Sequence, residues 1–170
     1  MLPALRRGAA IAVFFGAAGG PAAAVTVEFL VAEPPGHAVH GDSYVLPLSA
    51  PADIEHARDL VARGAAAGTP IAVAQIAAGA DGRNRNVRAP GEPPWSWHVT
   101  EFSGFGDFAI ELCDGYPGYV EQDVERWIAN TDGAVCFWSY TVVAELPEPG
   151  FVPALAISAS VLFALARTRD

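Results

Sequence analysis

The stretch between residues 95 and 145 constrains the fold most, because it holds both cysteines and all four tryptophans of the chain. Its pattern indicates two strands, a helix and a further strand, with Cys113 before the helix and Cys136 after it. In an oxidising compartment such a pair normally closes a disulfide, which would tie two strand ends together across the helix. The alternatives are a reactive thiol or a metal-binding pair, although the two residues do not form a C-x-x-C motif.

Six segments predict strands, because apolar residues alternate in them or form a short apolar run. They cover residues 25–32, 43–48, 71–76, 95–99, 108–113 and 136–145. Pro47 cannot donate a ladder hydrogen bond, so the second strand lies at a sheet edge or ends early. The polar segment 79–94 predicts a long loop, and the glycine-rich segment 102–107 predicts a turn.

Two segments carry apolar residues at helical spacing. The first predicted helix begins at Pro51 and stops at Gly64. The second contains Val120, Val124 and Trp127, which recur on one helical face. Together with the strands, this order predicts an α+β domain: a mostly antiparallel sheet of five to six strands, two amphipathic helices and one disulfide.

The amino-terminal end predicts export. Residues 1–24 have the features of a secretory signal peptide, with Arg6 and Arg7 before a short apolar core and small residues before Val25. The alternative is an N-terminal anchor. Cleavage before Val25 would leave residues 25–145 as a single α+β domain.

The carboxyl-terminal residues 146–170 resemble the PEP-CTERM sorting signal of bacterial surface proteins. Pro147, Glu148 and Pro149 precede the apolar segment Phe151–Ala166 and a short basic end. The resemblance implies that an exosortase-type enzyme in the inner membrane cuts near the motif, and that the protein reaches the cell surface or the medium. The alternative is an ordinary anchor in the inner membrane, and both readings place the domain outside that membrane.

The charge of the predicted domain limits its partners. Residues 25–145 contain six arginines, no lysine and seventeen acidic residues, which gives a net charge of −11. A surface this acidic repels phosphate backbones, so nucleic acid is excluded as a partner. The charge is compatible with cations, with basic peptides, or simply with solubility outside the cell.

The sharpest local motif consists of Trp95, Trp97 and His98. On a strand the two tryptophans share one face, and the histidine points to the other. One reading is a binding platform of two aromatic rings with the histidine at its rim. The other is that both rings fill the core and that His98 bonds to the backbone.

Carboxylates and histidines suggest two metal sites. Glu111 and Asp114 belong to an acidic group that could hold calcium, and the alternative is a solvated acidic face. His37 and His40, with Asp42 nearby, offer the donors of a copper or zinc site, and the alternative is a pair of exposed loop histidines.

Several short segments resemble a family of small domains named after a calmodulin-binding protein. They are WSWH, FAIELCDG, YVE and C-x-W, at residues 95–98, 108–115, 119–121 and 136–138. The resemblance covers roughly residues 44–145 and implies the fold of that family. It implies no enzymatic activity, because none is established for the family. Calmodulin binding does not carry over, since the chain lacks the basic amphipathic helix of calmodulin targets.

Three functions are compatible with these features. The favoured one is an exported, surface-associated, non-catalytic binding or matrix module without a cofactor. It would contact an extracellular polymer or a surface protein through the Trp95–His98 strand and the loop of residues 79–94. The second is a copper- or zinc-binding surface protein that uses its histidines. The third is a hydrolase, which a pocket joining His98 to Glu111 or Asp114 would favour.

Overall fold

The computed structural model describes residues 25–36, 38–64, 70–107 and 109–148 of the 170-residue chain. Six strands form two three-stranded antiparallel sheets, whereas the sequence predicted one sheet. The strands are β1 (Val27–Ala32), β2 (Ser43–Leu48), β3 (Ile71–Ala78), β4 (Trp97–Gly106), β5 (Ala134–Val135) and β6 (Thr141–Glu145). The helices, three where two were predicted, are α1 (Pro51–Arg63), α2 (Pro117–Gln122) and α3 (Val124–Thr131). The domain is therefore mostly β-sheet with some helix, roughly α+β.

The first sheet has the order β2-β1-β6, with β1 at its centre. Phe29 and Val31 on β1 are fully buried, in agreement with the alternating pattern of the sequence. β2 lies at the edge of the sheet, where Pro47 opposite Glu28 leaves no ladder bond of a central strand missing.

α1 packs against β6 through one apolar face. Its buried side chains are Ile54, Ala57 and Leu60. Pro51 occupies the first turn, and the chain leaves the helix at Gly64, whose φ of 60° is a conformation that favours glycine. The predicted helix from Pro51 to Gly64 is confirmed.

The second sheet, with the order β4-β3-β5, corrects the predicted turn at residues 102–107. β4 continues through this segment to Gly106. Its pairing with β3 shifts register twice, and Gly104 has a φ of 142° inside the strand. Glycine within a strand marks such irregularities as well as turns, so the glycine-rich composition was misread.

The predicted strand at residues 108–113 is also wrong, because residues 111–113 form a turn. The N–H group of Cys113 donates to the carbonyl of Ile110 at 3.1 Å and closes this turn. Ile110 and Leu112 are more than half exposed, so the alternating apolar residues do not face the core.

The second predicted helix is divided into α2 and α3 at Asp123, whose φ of −160° is not helical. The Asp123 side chain accepts the backbone N–H of Arg126 at 3.0 Å and thereby caps α3. Val120, Val124 and Trp127 nevertheless face the core, as the helical spacing predicted.

The last predicted strand, residues 136–145, is divided as well. β5 pairs with β3 in the second sheet, and β6 pairs with β1 in the first. Between them the chain crosses from one sheet to the other through a turn in which Tyr140 N–H donates to Phe137 O at 3.1 Å. This crossing divides the predicted single sheet into two.

Cys113 and Cys136 form the predicted disulfide, with their Cα atoms 5.2 Å apart. Both are buried together with Ile71 in a small apolar cluster. The bond joins the turn before α2 to the start of the crossing, and Cys136 N–H also donates to Cys113 O at 2.8 Å. Closing a loop of 23 residues stabilises the fold by ~3 kcal/mol in the chain-entropy model.

Aromatic side chains fill the main core, where β2 of one sheet meets β4 of the other. Tyr44 lies 5.8 Å from both Trp97 and Phe137, measured between ring centroids. Trp127 is also buried, whereas Trp138 is 54% exposed. Three of the four tryptophans therefore contribute to the interior or its margin, as a small core requires.

The buried side chain of Asn84 joins the long loop, now residues 79–96, to both sheets. Its Oδ1 accepts the N–H of Val45 on β2 at 3.0 Å, and its Nδ2 donates to Trp97 O on β4 at 2.8 Å. Ser43 at the start of β2 adds a second attachment, because its Oγ donates to Asn86 Oδ1 at 3.0 Å. The loop is therefore fixed to the body of the domain.

Within the described residues, no helix is long and apolar enough to cross a bilayer. The predicted signal peptide, Pro149 and the apolar segment Phe151–Ala166 lie outside the described residues.

Replacing Asn84 by alanine should lower the free energy of unfolding by about 2–4 kcal/mol, because a buried N–H on β2 and a buried carbonyl on β4 both lose their partner. Urea denaturation followed by tryptophan fluorescence measures the change. Asn130→Ala, at an exposed position of α3, is the control and should change stability little. Equal midpoints for the two variants would contradict the bridging role of Asn84.

Candidate functional site

A buried carboxylate organises the loop between β1 and β2. Glu33 is fully buried, and its Oε2 accepts three backbone N–H groups at 2.7, 2.9 and 3.3 Å, from Val39, His40 and Gly41. Its Oε1 lies 3.1 Å from Nδ1 of His40. The loop therefore wraps around its own glutamate.

These donors decide the charge state of Glu33. Burial alone would disfavour the carboxylate, but the three backbone N–H groups and the His40 ring together outweigh it. The pKa of Glu33 therefore lies below its ordinary value, and the group stays ionised at neutral pH.

A second buried carboxylate, Asp42, connects distant parts of the chain. Its Oδ1 accepts a hydrogen bond from the hydroxyl of Tyr140, and its Oδ2 accepts the N–H of Gly118 at 2.9 Å. A Cβ atom at Gly118 would approach Asp42 Oδ2 to 3.1 Å, so the absence of a side chain permits this close contact. Burial, and then the bond to Asp42, raise the pKa of Tyr140 well above the usual tyrosine range.

Arg88 from the long loop completes this group of side chains. Its guanidinium donates to the backbone carbonyl of Glu33, and the charges of Arg88 and Glu33 both act on Tyr140. We call Glu33, His40, Asp42, Arg88 and Tyr140 the carboxylate network. Its carboxylates are bonded to groups of the same chain, which is the arrangement of a structural network.

The predicted copper or zinc pair is only partly in view. His37 lies outside the described residues. The ring of His40 stacks on Tyr116 with centroids 4.0 Å apart, and its Nδ1 faces Glu33. In the described ranges no group of three or more His, Cys, Asp or Glu side chains is arranged to hold a metal ion.

The two tryptophans of the predicted platform occupy different environments. Trp97 is fully buried, whereas Trp95 is half-buried and donates its Nε1–H to Ser43 O at 2.9 Å. The rings are nearly parallel, with centroids 6.3 Å apart. Nδ1 of His98 donates to the carbonyl of Gly79 at 2.7 Å, so the histidine bonds to the backbone.

Glu111 and Asp114 lie in the turn around Cys113, and both are exposed. Asp114 Oδ1 accepts the N–H of Trp138 at 2.7 Å and that of Gly115 at 2.8 Å. It therefore braces the chain on both sides of the disulfide. His98 has a different partner, on the β3–β4 side, and is not brought together with these acids by any contact described here.

A shallow cleft lies between the long loop and α2. Its volume is about 280 Å³, and it is lined by Asn86, Ala89, Glu92, Pro93, Pro94, Trp95 and Glu121. We call it the Trp95 cleft. Glu121 Oε2 accepts the backbone N–H of Ser96 at 2.9 Å, which fixes the helix against the loop.

Sequence reasoning singled out neither Glu33 nor Tyr140, and it used Asp42 only as a neighbour of histidines. The available signal was weak: Glu33 is a lone acid that directly follows an apolar strand and precedes two prolines. The partners of Asp42 are 76 and 98 residues away in sequence, so no local pattern could reveal them. Glu92 and Glu121 had been assigned to a loop and to a solvated helix face.

Fold and site together define a class: a small disulfide-bonded α+β domain of two antiparallel sheets, with carboxylates held inside by donors of its own chain. A family model for the BP-74 N-terminal domain matches residues 27–149, which is more than half of the chain. The chain therefore belongs to this family, and the resemblance seen in its tryptophan and cysteine segments is confirmed. No curated protein and no solved structure matches the chain significantly.

Replacing Glu33 by glutamine should lower the free energy of unfolding at pH 7 by about 2–3 kcal/mol, because the amide cannot accept from all the donors that the carboxylate satisfies. The folded pKa of Glu33 is lowered, so its contribution is present above the unfolded value near ~4.3 and is lost as pH falls through the folded pKa. The difference from the parent protein should therefore shrink between pH 5 and strongly acidic pH. Urea titrations across this range measure it, with exposed Glu101→Gln as control. A difference independent of pH would contradict the ionised state.

Replacing Tyr140 by phenylalanine should cost about 2 kcal/mol at pH 7, since buried Asp42 loses one donor. The raised pKa of Tyr140 adds a second signature. Unfolded tyrosine ionises near ~10, so the parent protein should lose stability as pH rises above that value, and the variant should lose less. Unfolding curves at pH 7 and pH 10.5 test both effects. Exposed Tyr119→Phe should change neither.

Proposed function

We propose that the chain is an exported, surface-associated binding module without catalytic activity, whose contact surface is the Trp95 cleft. The observation that carries the proposal is how the polar side chains are used. Glu33, Asp42, Asp114 and His98 each bond to a group of their own chain, and they do not line the Trp95 cleft. Catalysis requires positioned groups that remain open to a substrate, whereas binding requires a preformed concave surface.

The Trp95 cleft meets the requirement of a preformed surface. The Trp95 ring is fixed by its bond to Ser43, and the loop beneath it is fixed through Asn84. Walls that are already ordered lose little conformational entropy when a ligand binds, which favours affinity. Either an extracellular polymer or a surface protein can present a ligand to such a cleft.

The disulfide supports the proposed export, because bonds of this kind persist in oxidising compartments. The two ends of the folded domain also lie close together. Val25 and Glu148 line one cleft, and Leu146 N–H donates to Glu28 O at 2.8 Å. Segments that precede and follow the domain would therefore leave from the same side, and that side would face the inner membrane during export and sorting.

The proposed sorting step fits the position of its motif. β6 ends at Glu145, and both Pro147 and Glu148 are exposed directly after it. An exosortase-type enzyme of the inner membrane would cut near this motif while Phe151–Ala166 lies in the bilayer, and would release or re-attach the domain outside.

Export is tested by expressing the full chain in a bacterium that has an exosortase-type system. We expect the mature amino terminus at Val25, loss of the apolar carboxyl-terminal segment, and cysteines that resist alkylation until they are reduced. Mass spectrometry of the processed protein measures all three. Replacing Pro147, Glu148 and Pro149 together by alanine should leave the amino-terminal cut intact and abolish the carboxyl-terminal one. A product that retains Met1 and free thiols would contradict export.

Binding is tested by filling the cleft. Ala89→Trp should reduce sedimentation of the purified protein with isolated cell-surface material at least tenfold, because the new ring occupies the cleft without removing the Trp95 bond. Ala129→Trp, at an exposed position of α3, is the matched control and should sediment like the parent protein. Equal sedimentation of both variants and the parent would contradict the assignment of this cleft.

A further inference from the structure

We propose that the Trp95 cleft binds the guanidinium group of an arginine side chain on a partner protein. This inference rests on the proposed binding function and adds the chemical class of the ligand. It combines three properties of the cleft: its charge, its fixed aromatic wall and its size.

The charge of the cleft is negative. Glu92 and Glu121 line it, and no basic side chain does. Among the ion pairs of the described residues, neither glutamate has a basic partner. A carboxylate accepts two parallel N–H groups of a guanidinium, which gives short and directional contacts. The contact of Glu121 with Ser96 N–H keeps that carboxylate oriented at the cleft.

The aromatic wall is the indole of Trp95, which cannot easily turn away. Its Nε1–H is bonded to Ser43 O at 2.9 Å, and the ring is backed by Trp97 at 6.3 Å. A planar guanidinium can stack on an indole face while its edges donate to carboxylates, whereas an ammonium group can only act as a point charge. Pro93 and Pro94 add apolar surface for the methylene stem.

The size of the cleft suits a single side chain. Its volume of about 280 Å³ lies just below the range of ≈ 300–1,000 Å³ typical of sites for drug-sized ligands. The net charge of −11 between residues 25 and 145 attracts a basic partner over a longer range. A neutral polymer would use neither the two carboxylates nor this charge, so a basic surface protein is the favoured source.

The test uses the full chain, purified in a neutral detergent, and a capped Gly-Arg-Gly peptide. The comparison probe is the same peptide with citrulline, which has the shape of arginine without its charge. The readout is the NMR signal of the Trp95 indole N–H, assigned by its loss in Trp95→Phe. We expect a saturable shift with the arginine peptide, at least tenfold weaker binding of the citrulline and lysine peptides, and weaker binding as salt rises.

Two variants separate the cleft from general surface charge. Glu92→Gln removes one carboxylate at an exposed position and should weaken binding of the arginine peptide at least fivefold. Glu125→Gln, exposed on α3, removes the same charge elsewhere and should leave binding unchanged. Thermal unfolding of each variant checks that both remain folded.

Several results would overturn the inference. They are equal binding of the arginine and citrulline peptides, equal binding of the arginine and lysine peptides, a shift of the exposed Trp138 indole instead of Trp95, and no effect of Glu92→Gln. A protonated glucosamine oligomer that binds where the arginine peptide does not would assign the cation site to a polymer and reject the protein ligand. If the arginine peptide fails while sedimentation remains sensitive to Ala89→Trp, the ligand class falls and the binding function stands. If the peptide binds while sedimentation is insensitive, the binding function falls and the site chemistry stands.

Discussion

The buried carboxylate of Asp42 is the contact on which the arrangement of the domain depends. It lies one residue before β2 and bonds to Tyr140, one residue before β6, and to Gly118 in α2. One carboxylate therefore fixes both outer strands of the first sheet and the helix that follows the disulfide turn. Leaving a buried charge without its donors costs several kcal/mol, so alternative placements of α2 or of the crossing chain are strongly disfavoured.

The parts of the fold that were predictable are those whose signals are local. β2 and α1 were placed correctly, because Pro47, Pro51 and Gly64 restrict the backbone at their own positions. The disulfide was predictable from the small number of cysteines, since only one intramolecular pair exists. The family was predictable because its tryptophan and cysteine segments are distinctive even without knowledge of how they pack.

The parts that failed depend on contacts distant in sequence. Gly104 favoured a turn by composition, but pairing with β3 keeps it in a strand. The crossing after Cys136 reads as one continuous strand, because nothing local shows that its two halves join different sheets. The candidate site shows the same limit: Asp42 was visible as an acid in a loop, but its donors come from segments that only the fold brings near it.

The long loop of residues 79–96 explains how a rigid structural element can also carry a binding surface. Its inner side supplies Asn84 and the Trp95 N–H to the body of the domain, and its outer side supplies Glu92 to the cleft. Substitutions on the inner side therefore act on stability and binding together, whereas those on the outer side act on binding alone. Because these roles fall to different residues, the outer side can change its ligand without loss of the fold, which is how one domain type can serve different partners.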